Sequence, residues 1–300
     1  MNKEQHEKKS GFVALIGRPN VGKSTLVNRL VGQKIAIMSS KPQTTRTQIR
    51  GVMNRDAGQA VLLDTPGLHK PKHLLGEYMV QSANSAIRDV DVLLMVADAT
   101  DGHVDADELV VERLKQSPSP AILALNKVDA VAKETLLRKI ALYQEMYPFK
   151  EIIPISAKTG DQIEVLERVL FSHLPTGPFY YPEGMLTDHP ERFLIAELIR
   201  EKVLLTTREE IPHSIAVSVE QMEKRGNTLY VSAVIYTERD SQKGILIGKG
   251  GELLKRVGTM ARQDIEGLLE TKAFLELWIK VKKDWRNAEH MLRTFGFERE

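Results

Sequence analysis

The chain of 300 residues contains no cysteine. That excludes a disulfide framework, a thiolate nucleophile and cysteine-held zinc or iron–sulfur sites, and it matches a reducing, cytoplasmic compartment. Long apolar runs are missing too. No stretch approaches the ~18 apolar residues of a membrane span, and the polar opening MNKEQHEKKS lacks the apolar core of a secretory signal. Nor is there an excess of one charge, since 42 Lys and Arg stand against 40 Asp and Glu. Any polyanion site therefore has to be local. What is present suffices for ordinary cores: 42% hydrophobic and 27% charged residues, over a length that suggests about two domains.

Up to residue 174 short apolar runs alternate with helical patterns. The runs 12–16, 60–63, 92–97, 121–125 and 152–155 are apolar on both faces and spaced as βαβ units, which predicts an α/β domain with a mostly parallel sheet. Segment 174–182 then holds three of the thirteen prolines and reads as a linker, extended to 175–190. Beyond it, 191–207 is an amphipathic helix and 213–220 a strand. A turn at 224–227 and a return strand at 229–236 follow, then helices at 242–247 and 252–270 around a glycine break, and a last strand at 274–283. The order α-β-β-α-α-β predicts an α+β domain over 191–283, after a polar extension (1–10) and before a tail with a short helix (284–300).

Gly17-Arg18-Pro19-Asn20-Val21-Gly22-Lys23-Ser24, followed by Thr25, matches G-x-x-x-x-G-K-[ST] between a strand and a helix. Its backbone N–H groups and the helix N-terminus suit phosphate oxygens. Lys23 is the point charge for β- and γ-phosphates, and the Ser24 hydroxyl is a Mg²⁺ ligand. After the second run, Asp64-Thr65-Pro66-Gly67 places a carboxylate to hold Mg²⁺ through a water and a Gly67 N–H for a γ-phosphate, with Leu68 next. Between these motifs lies a polar segment, 39–46, with Thr45 as the second hydroxyl on Mg²⁺ and Thr44 as its alternative. A loop that binds metal only with a γ-phosphate present orders and disorders with the nucleotide. Asn126-Lys127-Val128-Asp129 offers a carboxylate to guanine N1–H and N2–H₂. Asn126 ties this loop to the phosphate loop, and the Lys127 stem can lie over the base. Ser156-Ala157-Lys158 offers the Ala157 N–H to guanine O6. A site built for such bonds rejects adenine strongly.

In the second domain, Ile247-Gly248-Lys249-Gly250-Gly251 joins two helices. This is the GXXG device of KH domains, which lets a nucleic-acid backbone approach loop N–H groups and holds about four nucleotides. Lys243, Lys249, Lys255, Arg256 and Arg262 face only Glu252 in the window 243–262. Ile245 and Ile247 are candidates for apolar surface under bases, with one of them expected in the core.

Residues 11–174 resemble a small GTPase domain with five nucleotide motifs in order, and the wording GRPNVGKST and QTTR is similar to the Era, Der and MnmE group. One GTPase domain followed by one C-terminal type II KH domain resembles the Era family. The resemblance implies a GTPase of small-subunit (30S) ribosome assembly that binds the small-subunit (16S) rRNA near its 3′ end. It also implies association with the inner face of the cell membrane, peripheral in the absence of a span, and a monomer. Leu68 stands where Ras-like enzymes carry a water-orienting Gln, so unaided turnover is expected to be slow, on the order of 10⁻⁴ s⁻¹. In related GTPases an Asn at the Asn20 position helps bind K⁺; Asn20 either does so or only shapes the loop. Two other functions stay open: an RNA-binding module with GTP as a structural ligand, and a metabolic phosphotransferase, against which the guanine motif argues.

Overall fold

A computed structural model describes residues 8–41, 43–67, 71, 73–102 and 104–297. Within these residues the chain divides into two compact units. The first covers Met1–Ala36, Thr45–Lys70 and Met79–Asp188, and the second covers Ile37–Thr44, Pro71–Tyr78 and His189–Glu300.

Elements of the first stretch run β1 (Lys9–Ile16), α1 (Lys23–Val31), β2 (Ile49–Arg55), β3 (Gly58–Asp64), α2 (Leu74–Arg88), β4 (Val92–Asp98), α3 (Glu108–Leu114), β5 (Ala121–Asn126), α4 (Lys133–Met146), β6 (Glu151–Pro154) and α5 (Ile163–His173). The six strands stand in the order β2-β3-β1-β4-β5-β6. All pairings are parallel except β2 with β3. Every residue of β3 and β5 is buried, as expected of strands covered on both faces. Parallel strands deliver their carboxyl ends to one edge, and ligands of open α/β sheets bind there. Ile16, Asp64, Asp98 and Asn126 are the last residues of β1, β3, β4 and β5. The phosphate, DTPG and NKVD motifs are thereby brought to one place by strand direction alone.

Two features depart from the sequence expectation. Strand β2 had no signal of its own, because Arg50, Gly51 and Asn54 interrupt its apolar pattern; it is held by antiparallel register to β3, Val52 opposite Val61. The proline-rich segment is docked rather than loose. Val52 N–H donates to Leu186 O (2.8 Å), Thr187 Oγ1 to Arg50 O (2.6 Å) and Asn54 Nδ2 to Met185 O (3.1 Å), while Arg50 pairs with Asp188 (3.0 Å). These bonds occupy part of the free edge of β2, a usual way to blunt an edge strand.

The second unit carries α6 (Glu191–Thr206), α7 (Ile211–Ser214), β7 (Ala216–Arg225), β8 (Thr228–Thr237), α8 (Asp240–Ile247), α9 (Glu252–Leu269), β9 (Lys272–Val281) and α10 (Glu289–Thr294). Its sheet is ordered β7-β8-β9, antiparallel then parallel. Ile195, Ile199 and Val203 of α6 and Val257, Ala261 and Ile265 of α9, at helical spacing, close one core with the inner residues of the sheet. The expected α-β-β-α-α-β order holds, with α7 added: His213 lies in this short helix, and the strand begins at Ala216. The hairpin turn is shorter than the expected 224–227, since Lys224 and Arg225 stay in register with Leu229 and Thr228. Within this unit Met38 N–H donates to Glu201 (2.8 Å), and the Arg200 guanidinium donates to Thr44 O.

Candidate functional site

The phosphate loop curls between β1 and α1. Its Gly22 has φ +104°, and a Cβ there would sit 2.2 Å from Asn126 Nδ2, so only glycine lets the NKVD strand come this close. Asn126, buried at the end of β5, donates Nδ2–H to Val21 O (2.8 Å) and accepts Ala157 N–H on Oδ1 (2.9 Å). One amide thus ties three loops together. The Lys127 ammonium reaches Asn20 O (2.9 Å) and Asp98 Oδ2 (2.5 Å), which fixes its far end on the phosphate loop. Asp129 is exposed, with Oδ1 accepting from Ser156 Oγ (2.7 Å). The Ala157 N–H, expected for O6, is here shared with Asn126, so a base would take it as a second acceptor. The Lys158 carbonyl is held by Arg29 Nη2 (2.6 Å) and the Ala157 carbonyl by Arg29 Nε (3.1 Å).

Ser24, Thr45 and Asp64 converge as expected. Asp64 Oδ2 accepts from Ser24 Oγ (2.7 Å) and Thr45 Oγ1 (3.3 Å), and the two hydroxyls are 3.0 Å apart. Thr44 is not part of this group: its hydroxyl turns back to Lys41 O (2.6 Å). Asp64 is fully buried, and its Oδ1 has no hydrogen-bond partner among the described residues. Burial raises its pKa against the pull of Lys23, Ser24 and Thr45. Two hydroxyls beside a buried carboxylate with an orphaned oxygen are a hard, all-oxygen donor set, which fits Mg²⁺. Burial also lowers Lys23 to about 8, against Asp64 and Asp107; its ammonium donates to Gly17 O and Arg18 O, both at 2.9 Å. Thr65 Oγ1 donates to Leu15 O (2.7 Å), binding the DTPG turn to β1. Gly67 lies against Pro19, which a Cβ would approach within 2.9 Å. Pro66 lies between these two anchors, while Leu68 is outside the described residues.

The Arg18 side chain is not presented to a phosphate. Its Nε donates to the buried Asp107 (2.8 Å) and its Nη2 to Asp101 (2.6 Å), while the Tyr143 hydroxyl donates to the other oxygen of Asp107 (2.6 Å). Burial works against the Arg18 charge, but these carboxylates overcome it and raise its pKa. Arg18 contributes to the loop through its backbone, and its guanidinium braces that loop from behind. Sequence reading missed Asp107, Tyr143 and Arg29, because partners 36 to 129 residues apart leave no local spacing.

In the second unit the GKGG turn joins α8 to α9 with Gly248, Gly250 and Gly251 at φ +74°, +61° and +83°. A Cβ on Gly248 would also lie 2.8 Å from Leu253 Cβ. Lys249, Gly250, Lys255 and Arg256 are exposed, and Lys243 is half-buried. Ile247 packs against the core, whereas Ile245 is exposed. Gly251 of the turn and Leu254, Lys255, Gly258, Thr259 and Arg262 of α9 face Phe274, Leu275 and Leu277 of β9 across a groove of about 460 Å³. An apolar floor with basic walls suits bases below and phosphates at the rim.

Comparison with known proteins gives two family matches. A model described as a 50S ribosome-binding GTPase matches residues 12–127, and a KH domain model matches residues 210–286. GTPase Era of Heliobacterium modesticaldum is 55% identical over 292 residues, 97% of each chain. Two solved structures superpose with 40% identity over 97% of this chain and 100% of theirs. They are an Aquifex aeolicus Era variant bound to GDP·AlF4⁻ (TM-score 0.93), and Era in complex with MgGDPNP and nucleotides 1506–1542 of 16S ribosomal RNA (TM-score 0.94).

Proposed function

The chain belongs to the Era family of GTPases, and from that premise we propose that it is a GTP-hydrolysing switch that binds 16S rRNA near its 3′ end and assists assembly of the 30S subunit. The observation that carries the nucleotide reading is the convergence of Ser24, Thr45 and the orphaned oxygen of Asp64 beside the Lys23 ammonium. Ser24 and Thr45 would hold Mg²⁺ directly and Asp64 through a water; bound there, the ion supplies charge neutralisation across the β- and γ-phosphates. The loop from Gly17 to Thr25 binds phosphate oxygens through its N–H groups, and Lys23 adds a full charge. Asn126, Lys127, Asp129, Ser156, Ala157 and Lys158 orient the guanine. Asp64 to Leu68 senses the γ-phosphate, and with Leu68 in place of an amide the intrinsic rate is slow. K⁺ held by Asn20 is part of this reading; equal turnover in K⁺ and Na⁺ buffers would remove it.

RNA binding is assigned to Lys243, Ile247, Gly248, Lys249, Gly250, Gly251, Lys255 and Arg256. The boundaries that go with it are a GTPase domain at 11–174, a connecting segment at 175–190 and a KH domain at 191–283. Communication between nucleotide and RNA is supported by chain continuity: the Thr44 carbonyl accepts from Arg200 of α6, and the next residue is the metal-site Thr45. No helix among the described residues is long and apolar enough to cross a membrane, and the proposed setting is a cytoplasmic monomer with peripheral membrane association at most. Phosphate release by the full chain with Mg·GTP, with and without an RNA of the 1506–1542 sequence, tests this function. Multiple turnovers are expected; binding of GTP without turnover under either condition would favour GTP as a structural ligand.

A further inference from the structure

β9 is an edge strand, and its alternation gives it two faces. Ala273, Leu275, Leu277 and Ile279 join the core. The opposite face reads Lys272, Phe274, Glu276, Trp278, Lys280, and its Phe274 and Trp278 are 55% and 56% exposed. The two rings belong to residues about 13 Å apart along the strand. Phe274 lies 5.4 Å from the ring of Tyr230, its register partner on β8, and the Arg225 guanidinium stands 4.7 Å over Tyr230. Phe274 also lines the groove that begins at the GKGG turn, with Lys255 and Arg262 on its other side. The core does not use these rings, yet one of them forms the rim of the RNA groove and is backed by a cation–aromatic stack.

We propose that the outer face of β9 extends the RNA groove as a base-stacking platform. A single strand gripped by its backbone at GKGG leaves the groove past Phe274 and lays unpaired bases on Phe274 and then Trp278. Every base has a π-face, so such stacking tolerates any sequence. Lys255 and Arg262 on the groove side, with Lys272 and Lys280 at the two ends of the strip, accompany the phosphates. Charged residues at every second position of this face leave no contiguous apolar patch of the size protein docking sites show, which favours stacked bases over a protein.

This inference rests on the RNA reading above, and its test separates the two. The full chain is titrated with an RNA of the 1506–1542 sequence, following anisotropy of the labelled RNA and the protein's own fluorescence. Trp285 is fully buried, so Trp278 is the tryptophan that a base can reach. Phe274→Ala and Trp278→Ala should each weaken binding roughly 5- to 100-fold, with melting temperatures close to the parent. Phe274→Tyr should restore affinity, and bound RNA should quench emission in the parent but not in Trp278→Phe. Alanine variants that bind like the parent, without quenching, would overturn the platform while leaving the groove intact. A parent chain that does not bind this RNA would overturn both readings.

Discussion

Lys23 is the side chain whose state should depend most on the ligand. Burial lowers its pKa to about 8, and a polyphosphate beside it favours the charged form. GTP binding at pH 8.5 should therefore take up a proton, and affinity should fall as pH rises through 8. Calorimetry in two buffers of different ionisation enthalpy at pH 8.5 reads this directly; identical heats would contradict it. In the proposed function Asp129 sets the base. With Asp129→Asn the acceptor for guanine N1–H and N2–H₂ is exchanged for an amide that can donate to the C2 carbonyl of xanthine. Preference should move towards xanthosine nucleotides by at least about 10²-fold, measured by competition. Tyr143 tests the brace behind the loop. Tyr143→Phe removes a donor from the buried Asp107 and should cost about 1–3 kcal/mol of stability in urea unfolding.

At the scale of elements, strands place the loops to which binding is assigned. The GKGG turn needs φ > 0 at three positions, but only Gly248 is also crowded, by Leu253. Gly248→Ala should thus destabilise the second unit more than Gly250→Ala, seen as a larger drop in melting temperature. Gly250→Asp adds an anion where a phosphate approaches and should abolish most RNA affinity. Much of this was legible in the sequence. Motifs such as GRPNVGKS, DTPG, NKVD and GKGG are local, since their chemistry needs fixed spacing along the chain. Between the two threonines, the Thr45 hydroxyl lies beside Ser24 and the Thr44 hydroxyl turns to Lys41 O. Strand β2 was not legible, because half-buried Arg50 and Asn54 interrupt the apolar pattern on the face they share with Val52. Prolines at 175, 178 and 182 pointed to a linker, yet the first unit continues through them to Asp188, because Met185, Leu186 and Thr187 bond along β2. The Arg18–Asp107–Tyr143 brace joins residues far apart in the chain, and no spacing rule reaches that far.

For the whole molecule, near-neutral net charge means that the proposed RNA affinity has to come from a local basic surface. Its salt dependence should follow the few cations around GKGG. Each of Lys249→Ala and Lys255→Ala should lower the slope of log affinity against log salt by about 0.7, as for one phosphate contact on a single strand. Nucleotide and RNA are coupled only to the extent that each prefers the same state of the chain; equal RNA affinity with GDP, a GTP analogue and no nucleotide would rule coupling out. All of this presupposes that the first unit is a guanine site. Calorimetric titration of the full chain with Mg·GTP and Mg·ATP in one buffer measures that most directly. GTP should bind tighter by on the order of 10⁴-fold, because the NKVD carboxylate finds its donors only on guanine. Comparable affinity for the two nucleotides would contradict it.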